Sequence, residues 1–75
     1  MKVKLSSLSN NDKSKIVTIE GCFTLIKRLT DLGLTKDCVV EMKNNFGRGP
    51  ILIIVRGTEL ALGRIIAEKV WVEKT

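Results

Sequence analysis

Residues 23–43, FTLIKRLTDLGLTKDCVVEMK, decide how the rest of this chain is read. Leu25, Leu29 and Leu32 recur at i, i+4 and i+7 with Ile26 beside them, which predicts a short helix whose apolar stripe faces a core. Lys27, Arg28, Thr30 and Asp31 then face water, with Arg28 and Asp31 spaced for a weak i, i+3 ion pair. Gly33 ends the stripe. As a left-handed C′ residue it makes Leu34 the C″ position, within reach of Leu29 at C3. The helix start is less clearly marked. Thr24 is a possible cap, but the third residue after it is Lys27, where a capping box carries Glu or Gln. A tight turn follows Gly33, and Cys38 to Lys43 reads as a strand.

Working outward, Lys2 to Leu5 alternates as a short strand, and the polar run 6–12 turns only Leu8 inward. Residues 15–20, KIVTIE, are β-branched and closed by Gly21. On the other side, the turn-rich NNFGRGP at 44–50 leads into ILIIV at 51–55, which predicts a hairpin with the preceding strand. Arg56, Gly57 and Thr58 form the next turn, and Glu59 to Leu62 runs back as a strand. A helical segment over 63–69 follows, with Leu62, Ile65 and Ile66 at helix spacing. Val70, Trp71 and Val72 alternate, so either the indole or the valines face inward. The expected fold is mainly β: a small, closed or nearly closed barrel of five to six strands, an amphipathic helix near 23–32 and a short helix near 63–68.

With 75 residues the chain is expected to be a single domain, and 44% hydrophobic content gives it a core. The longest apolar run, Ile51 to Val55, is far short of the roughly 20 residues a bilayer span needs. No hydrophobic segment follows the N-terminal lysines, so a cytoplasmic protein is expected. Cys22 and Cys38 are too few for a disulfide framework and read as reduced. The net charge of +5 favours acidic partners, but the basic residues are scattered and only Lys27 and Arg28 adjoin. Three aromatics, Phe23, Phe46 and Trp71, supply few stacking platforms, which argues against nucleic acid.

Arg28, Leu29, Asp31, Leu32, Gly33 and Leu34 form an RLxDLGL signature. Leu5, Leu8, Ile16 and Ile19 precede it, and Pro50, Ile51, Gly57, Leu60, Ala61, Leu62, Ala67, Val70 and Val72 follow. In this order and spacing the chain resembles the FeoA family, small cytosolic companions of the bacterial ferrous-iron transporter FeoB. It departs from the family pattern at Asn11 and Asp12, where a glycine is usual, and at Lys36 and Asp37, where Pro-Gly is usual. Asn and Asp tolerate such turn backbones, including left-handed ones. The resemblance implies an SH3-like β-barrel, a part in ferrous iron uptake and contact with the cytosolic GTPase part of FeoB. It implies neither catalysis nor a small-molecule substrate, and it leaves the oligomeric state open. The same fold occurs as an appended domain in iron-dependent repressors, so the alternative is a regulatory small barrel that binds nucleic acid or a peptide.

The chain has no histidine, which removes the usual general base and the commonest metal ligand. Its carboxylates are scattered singletons, so no enzyme is expected, and no clustered Fe(II) ligand set is visible. No cofactor is expected. Cys22 and Cys38 flank the helix and read as small buried hydrophobes; the other reading is a zinc site completed by the two thiolates of a second chain. Gly47-Arg48-Gly49 lacks the Lys and Ser/Thr of a phosphate loop and reads as hairpin geometry. Phe46 and Arg48, at a loop tip, are residue types enriched at interfaces, although Phe46 folding back onto the barrel is the competing reading. Lys27, Arg28 and Asp31 form the other candidate docking face, against a merely solvated one. Met42 and Trp71 are assigned to structure, as are Leu25, Leu29, Leu32, Gly33, Leu34 and Gly57.

Overall fold

Six strands and two helices make up the computed structural model, which describes residues 1–47 and 49–75. In chain order they are β1 (Lys2–Lys4), a 3-10 turn (Leu5–Ser7), β2 (Lys13–Ile19), α1 (Phe23–Asp31), β3 (Val39–Asn44), β4 (Ile51–Val55), β5 (Thr58–Leu62), α2 (Arg64–Ala67) and β6 (Val70–Lys74). The strands join in one sheet of order β1-β6-β2-β3-β4-β5 with every neighbouring pair antiparallel. β1 and β5 are its two ends and do not pair with each other among the described residues, so strand pairing does not close the expected barrel, and the 3-10 turn packs against β6 and α2.

Period-two alternation decides what enters the core. Ile51, Ile53 and Val55 of β4 point inward together with Val40 and Met42 of β3 and Ile16 of β2. In β6 the two valines are fully buried, which turns Trp71 outward and settles the question its sequence left open. Trp71 instead lies half-buried on the outer face, where its Nε1 donates to Glu20 Oε1 and Lys4 Nζ stands 5.8 Å from the ring centroid.

The helix stop forms as its sequence predicts. Gly33 has φ +102°, its N–H donates to Thr30 O at 2.9 Å, and Leu34 N–H donates to Leu29 O at 3.0 Å. These two bonds are the Schellman pattern, and they bury Leu29 and Leu34 together. Leu32 departs from expectation: it is 49% exposed, although its spacing puts it on the apolar stripe. Asp31 is the last helical residue, and at the C-cap the chain already swings away, so Leu34 takes the inward place. Ile65 likewise points out while Ala67 is buried, because α2 is a single turn. The ion pair on α1 also differs: Asp31 pairs with Lys27 at i, i+4 and 3.4 Å, and not with Arg28.

Turn chemistry accounts for the departures from the family pattern. Asn11 (φ 74°) and Asp37 (φ 68°) both occupy the left-handed region, which these residue types tolerate best after glycine. The β4–β5 hairpin has a two-residue loop, Arg56-Gly57, with both φ values positive as a type I′ turn requires.

Candidate docking surfaces

The end of the barrel carrying Phe46 is organised by its neighbour Asn45. The Asn45 side-chain amide donates to Ser6 O at 3.0 Å and to Leu8 O at 2.7 Å, and its backbone N–H donates to Asn10 Oδ1 at 2.8 Å. Its own Oδ1 accepts from Arg64 Nη2 at 2.9 Å, and the same nitrogen reaches Gly49 O at 3.1 Å. One half-buried side chain thus ties the 44–50 loop to the first turn and to α2. Phe46, immediately after this anchor, is 72% exposed, so it does not fold back onto the barrel. Arg48, its proposed companion, lies outside the described residues.

Lys27, Arg28 and Asp31 are all solvent-exposed on the outer face of α1. The helix brings Lys27 and Asp31 together and leaves Arg28 without an ion pair among the described residues. No hydrogen bond or ion pair among the described residues joins this face to the Phe46 loop, so they are separate candidates.

The cysteines divide. Cys22 is the N-cap of α1 and exposed, which corrects the expectation that both thiols are buried. Cys38 is half-buried against the core, with Sγ 3.8 Å from Val39 O. Among the described residues, no three His, Cys, Asp or Glu side chains come together as a metal-binding group. Asp12 is the titratable group whose environment stands out. The Ser9 N–H donates to its Oδ2 at 2.9 Å and Lys74 Nζ lies 3.2 Å away, which lowers its pKa below the ordinary 3.8.

Asn45 and Arg64 carry no sequence signal of their own. The bonds of Asn45 reach across 35, 39, 37 and 19 residues, and in NNFGRGP an asparagine is indistinguishable from ordinary turn chemistry.

A six-stranded antiparallel sheet curled around one aliphatic core, capped by two short helices, is a small SH3-like β domain. More specifically, the chain belongs to the FeoA family, which is linked to ferrous iron transport: the FeoA domain model matches residues 3–74. A crystal structure of an iron uptake regulatory protein, FeoA, is 33% identical and superimposes with a TM-score of 0.94, each chain covering 100% of the other. Stenotrophomonas maltophilia FeoA, crystallised with zinc and described as a prokaryotic SH3 domain protein, is 26% identical. It has a TM-score of 0.83, with 95% of this chain and 89% of that one covered. IdeR of T. acidophilum shares the fold at 17% identity and a TM-score of 0.87; the match takes in 99% of this chain but 34% of IdeR. Among curated proteins there is no match. No helix among the described residues is long and apolar enough to cross a membrane.

Proposed function

We propose that this chain is a non-catalytic, cytosolic accessory module of bacterial ferrous iron uptake that docks on the GTPase part of a FeoB-type transporter. Family membership supports the link to iron uptake. The docking reading is carried by Phe46, 72% exposed on a loop anchored through Asn45 by four hydrogen bonds. An aromatic held outward on a pinned loop loses little conformational freedom when a partner covers it, which makes it an efficient contact. Arg28, exposed and unpaired among the described residues, is the second contact, ahead of Lys27 and Asp31, which already engage each other. S. maltophilia FeoA has itself been put forward as a ferrous iron transport activating factor.

Amide NMR of the labelled protein, titrated with the soluble GTPase fragment of the matching transporter, tests this. Shifts confined to the Phe46 loop or to residues 27–31 are expected, and Phe46→Ala should weaken them without loss of fold. Duplex DNA and zinc serve as parallel titrations. Salt-sensitive shifts with DNA and silence with the fragment would overturn docking in favour of a regulatory domain.

A further inference from the structure

The second half of β2 has a strand on one side and, on the other, a gap before α1. β3 pairs with β2 only over Lys13 to Lys15, and the last backbone bonds on that side are Ile16 N–H to Cys38 O at 2.9 Å and Asp37 N–H to Ile16 O at 2.8 Å. A bulge then interrupts the ladder with β6 between Ile16 and Thr18. Past it, Glu20 N–H donates to Lys69 O at 2.7 Å, so antiparallel alternation turns the N–H and C=O of Ile19 the other way, toward α1. Among the described residues no strand pairs with that edge. The space beside it is a groove of about 390 Å³ lined by Val17 to Ile19 of β2 and by Ile26 and Thr30 of α1. Leu34, Thr35 and Lys36 also line it, and Lys36 is the only charged residue lining it among those described.

We propose that this groove receives an extended peptide segment of a partner protein. The segment adds to the open edge of β2 at Ile19, seats a β-branched apolar side chain against Ile26 and sets an acidic residue beside Lys36. The open edge specifies the backbone form: a helix has satisfied its own amides and carbonyls, whereas an extended chain can exchange bonds with Ile19. The lining specifies the side chain, since Ile19 and Ile26 are half-buried and both line the groove. Lys36 specifies the charge. Lys27 on α1 is engaged by Asp31, whereas Lys36 has no ion-pair partner among the described residues. A second hollow of about 410 Å³ shares Ile16 and Val17 with the groove and is lined further by Lys15, Asp37, Glu73 and Lys74, but there the edge of β2 is already taken by β3, so the added segment is short. The proposal does not depend on the identity of the partner, and its test uses no transporter fragment.

Random short peptides displayed on phage are selected against the whole protein, and the recovered peptides are examined by amide hydrogen exchange. Recovered sequences should share alternating β-branched residues and an acidic position, and should slow exchange of the Ile19 amide by about tenfold or more. Lys36→Glu, an exposed substitution compatible with the fold, should weaken those peptides by about tenfold, while Lys43→Gln on the far part of the sheet leaves them unchanged. Ile26→Glu should abolish selection. No enrichment, or peptides that leave Ile19 exchanging freely, overturns the proposal. So does concentration-dependent protection of Ile19 without peptide, which would assign the groove to a second copy of this chain. Peptide binding here together with silence toward the GTPase fragment would sink the transporter reading and leave the groove intact.

Discussion

Replacing Gly33 tests the helix stop on which the rest of the packing depends. A Cβ built at this position lies 3.5 Å from Val55 Cγ1, 3.6 Å from Arg56 Cδ and 3.8 Å from Arg56 Nε, all ordinary contacts. Space is therefore available, and the cost of Gly33→Ala is conformational. At φ +102° a residue with a Cβ is strained by about 1–2 kcal/mol, or more if the chain relaxes and gives up the two Schellman bonds. Gly33→Val adds the stiffness of a β-branched χ1 to the same strain. For a domain of this size about 1 kcal/mol moves the melting temperature by roughly 4–8 °C, so Gly33→Ala should melt about 5–15 °C lower and Gly33→Val lower still. Gly63 is the control. Its φ is −59° and nothing lies within 4 Å of its added Cβ. Gly63→Ala should stay within about 0.5 kcal/mol of the parent. Thermal unfolding followed by circular dichroism reads all three. If Gly33→Ala melts within about 1 °C of both the parent and Gly63→Ala, the left-handed stop contributes nothing and the argument for it fails.

Asn45→Ala removes the hub under Phe46 and should cost about 2 kcal/mol, which urea unfolding would show as a midpoint lower by roughly 2 M for an m-value near 1 kcal/mol/M; an unchanged midpoint would mean that the loop is held by other contacts. Asp12 has a folded pKa below its ordinary 3.8 because it accepts from Ser9 N–H and faces Lys74. Its stabilising contribution is present above the unfolded pKa and is lost as pH falls through the lower folded value. The melting temperature of Asp12→Asn should accordingly fall less steeply than that of the parent between about pH 5 and pH 2. Alkylation at neutral pH should modify Cys22 at least about tenfold faster than the half-buried Cys38; equal rates would contradict the placement of the two thiols.

The local chemistry of this chain could be read from its sequence. The glycine stop at 33 bonds only to Thr30 and Leu29 a few positions away, and the left-handed backbones of Asn11, Asp37 and Gly57 follow from residue type even though the Asn11 and Asp37 N–H groups reach Met42 O and Ile16 O far along the chain. β4 was equally plain, because a five-residue run of β-branched and leucine side chains between two glycine-bearing turns is too short for a buried helix and suits a buried strand. Where periodicity was carried past the end of an element it misled. Leu32 and Ile65 keep the helix spacing, but α1 ends at Asp31 and α2 is one turn long, so neither side chain is held over the core. Alternation alone could not say which face of β6 is inward. That followed from its place between β1 and β2, where its valines meet the aliphatic core and Trp71 meets Lys4 and Glu20 from other parts of the chain.

The groove beside Ile19 and the Asn45 anchor under Phe46 were less legible for a related reason: both lie where the sheet breaks its own rules. Register shifts fall between Ile16 and Thr18 in β2 and between Met42 and Asn44 in β3. The first precedes the open edge at Ile19, and the second delivers the chain to Asn45 and Phe46. Neither site carries a glycine or proline, since Val17 and Lys43 are the residues passed over, so nothing in residue type announces a bulge there. A bulge ends or re-aims pairing on one side of a strand while its other neighbours hold it in place. Apart from the outer edges of β1 and β5 at the ends of the sheet, it is these interruptions that free an edge in one case and project an aromatic in the other. The proposed docking sites therefore depend on register, a property of strand partners far apart in the chain, more than on any contiguous motif.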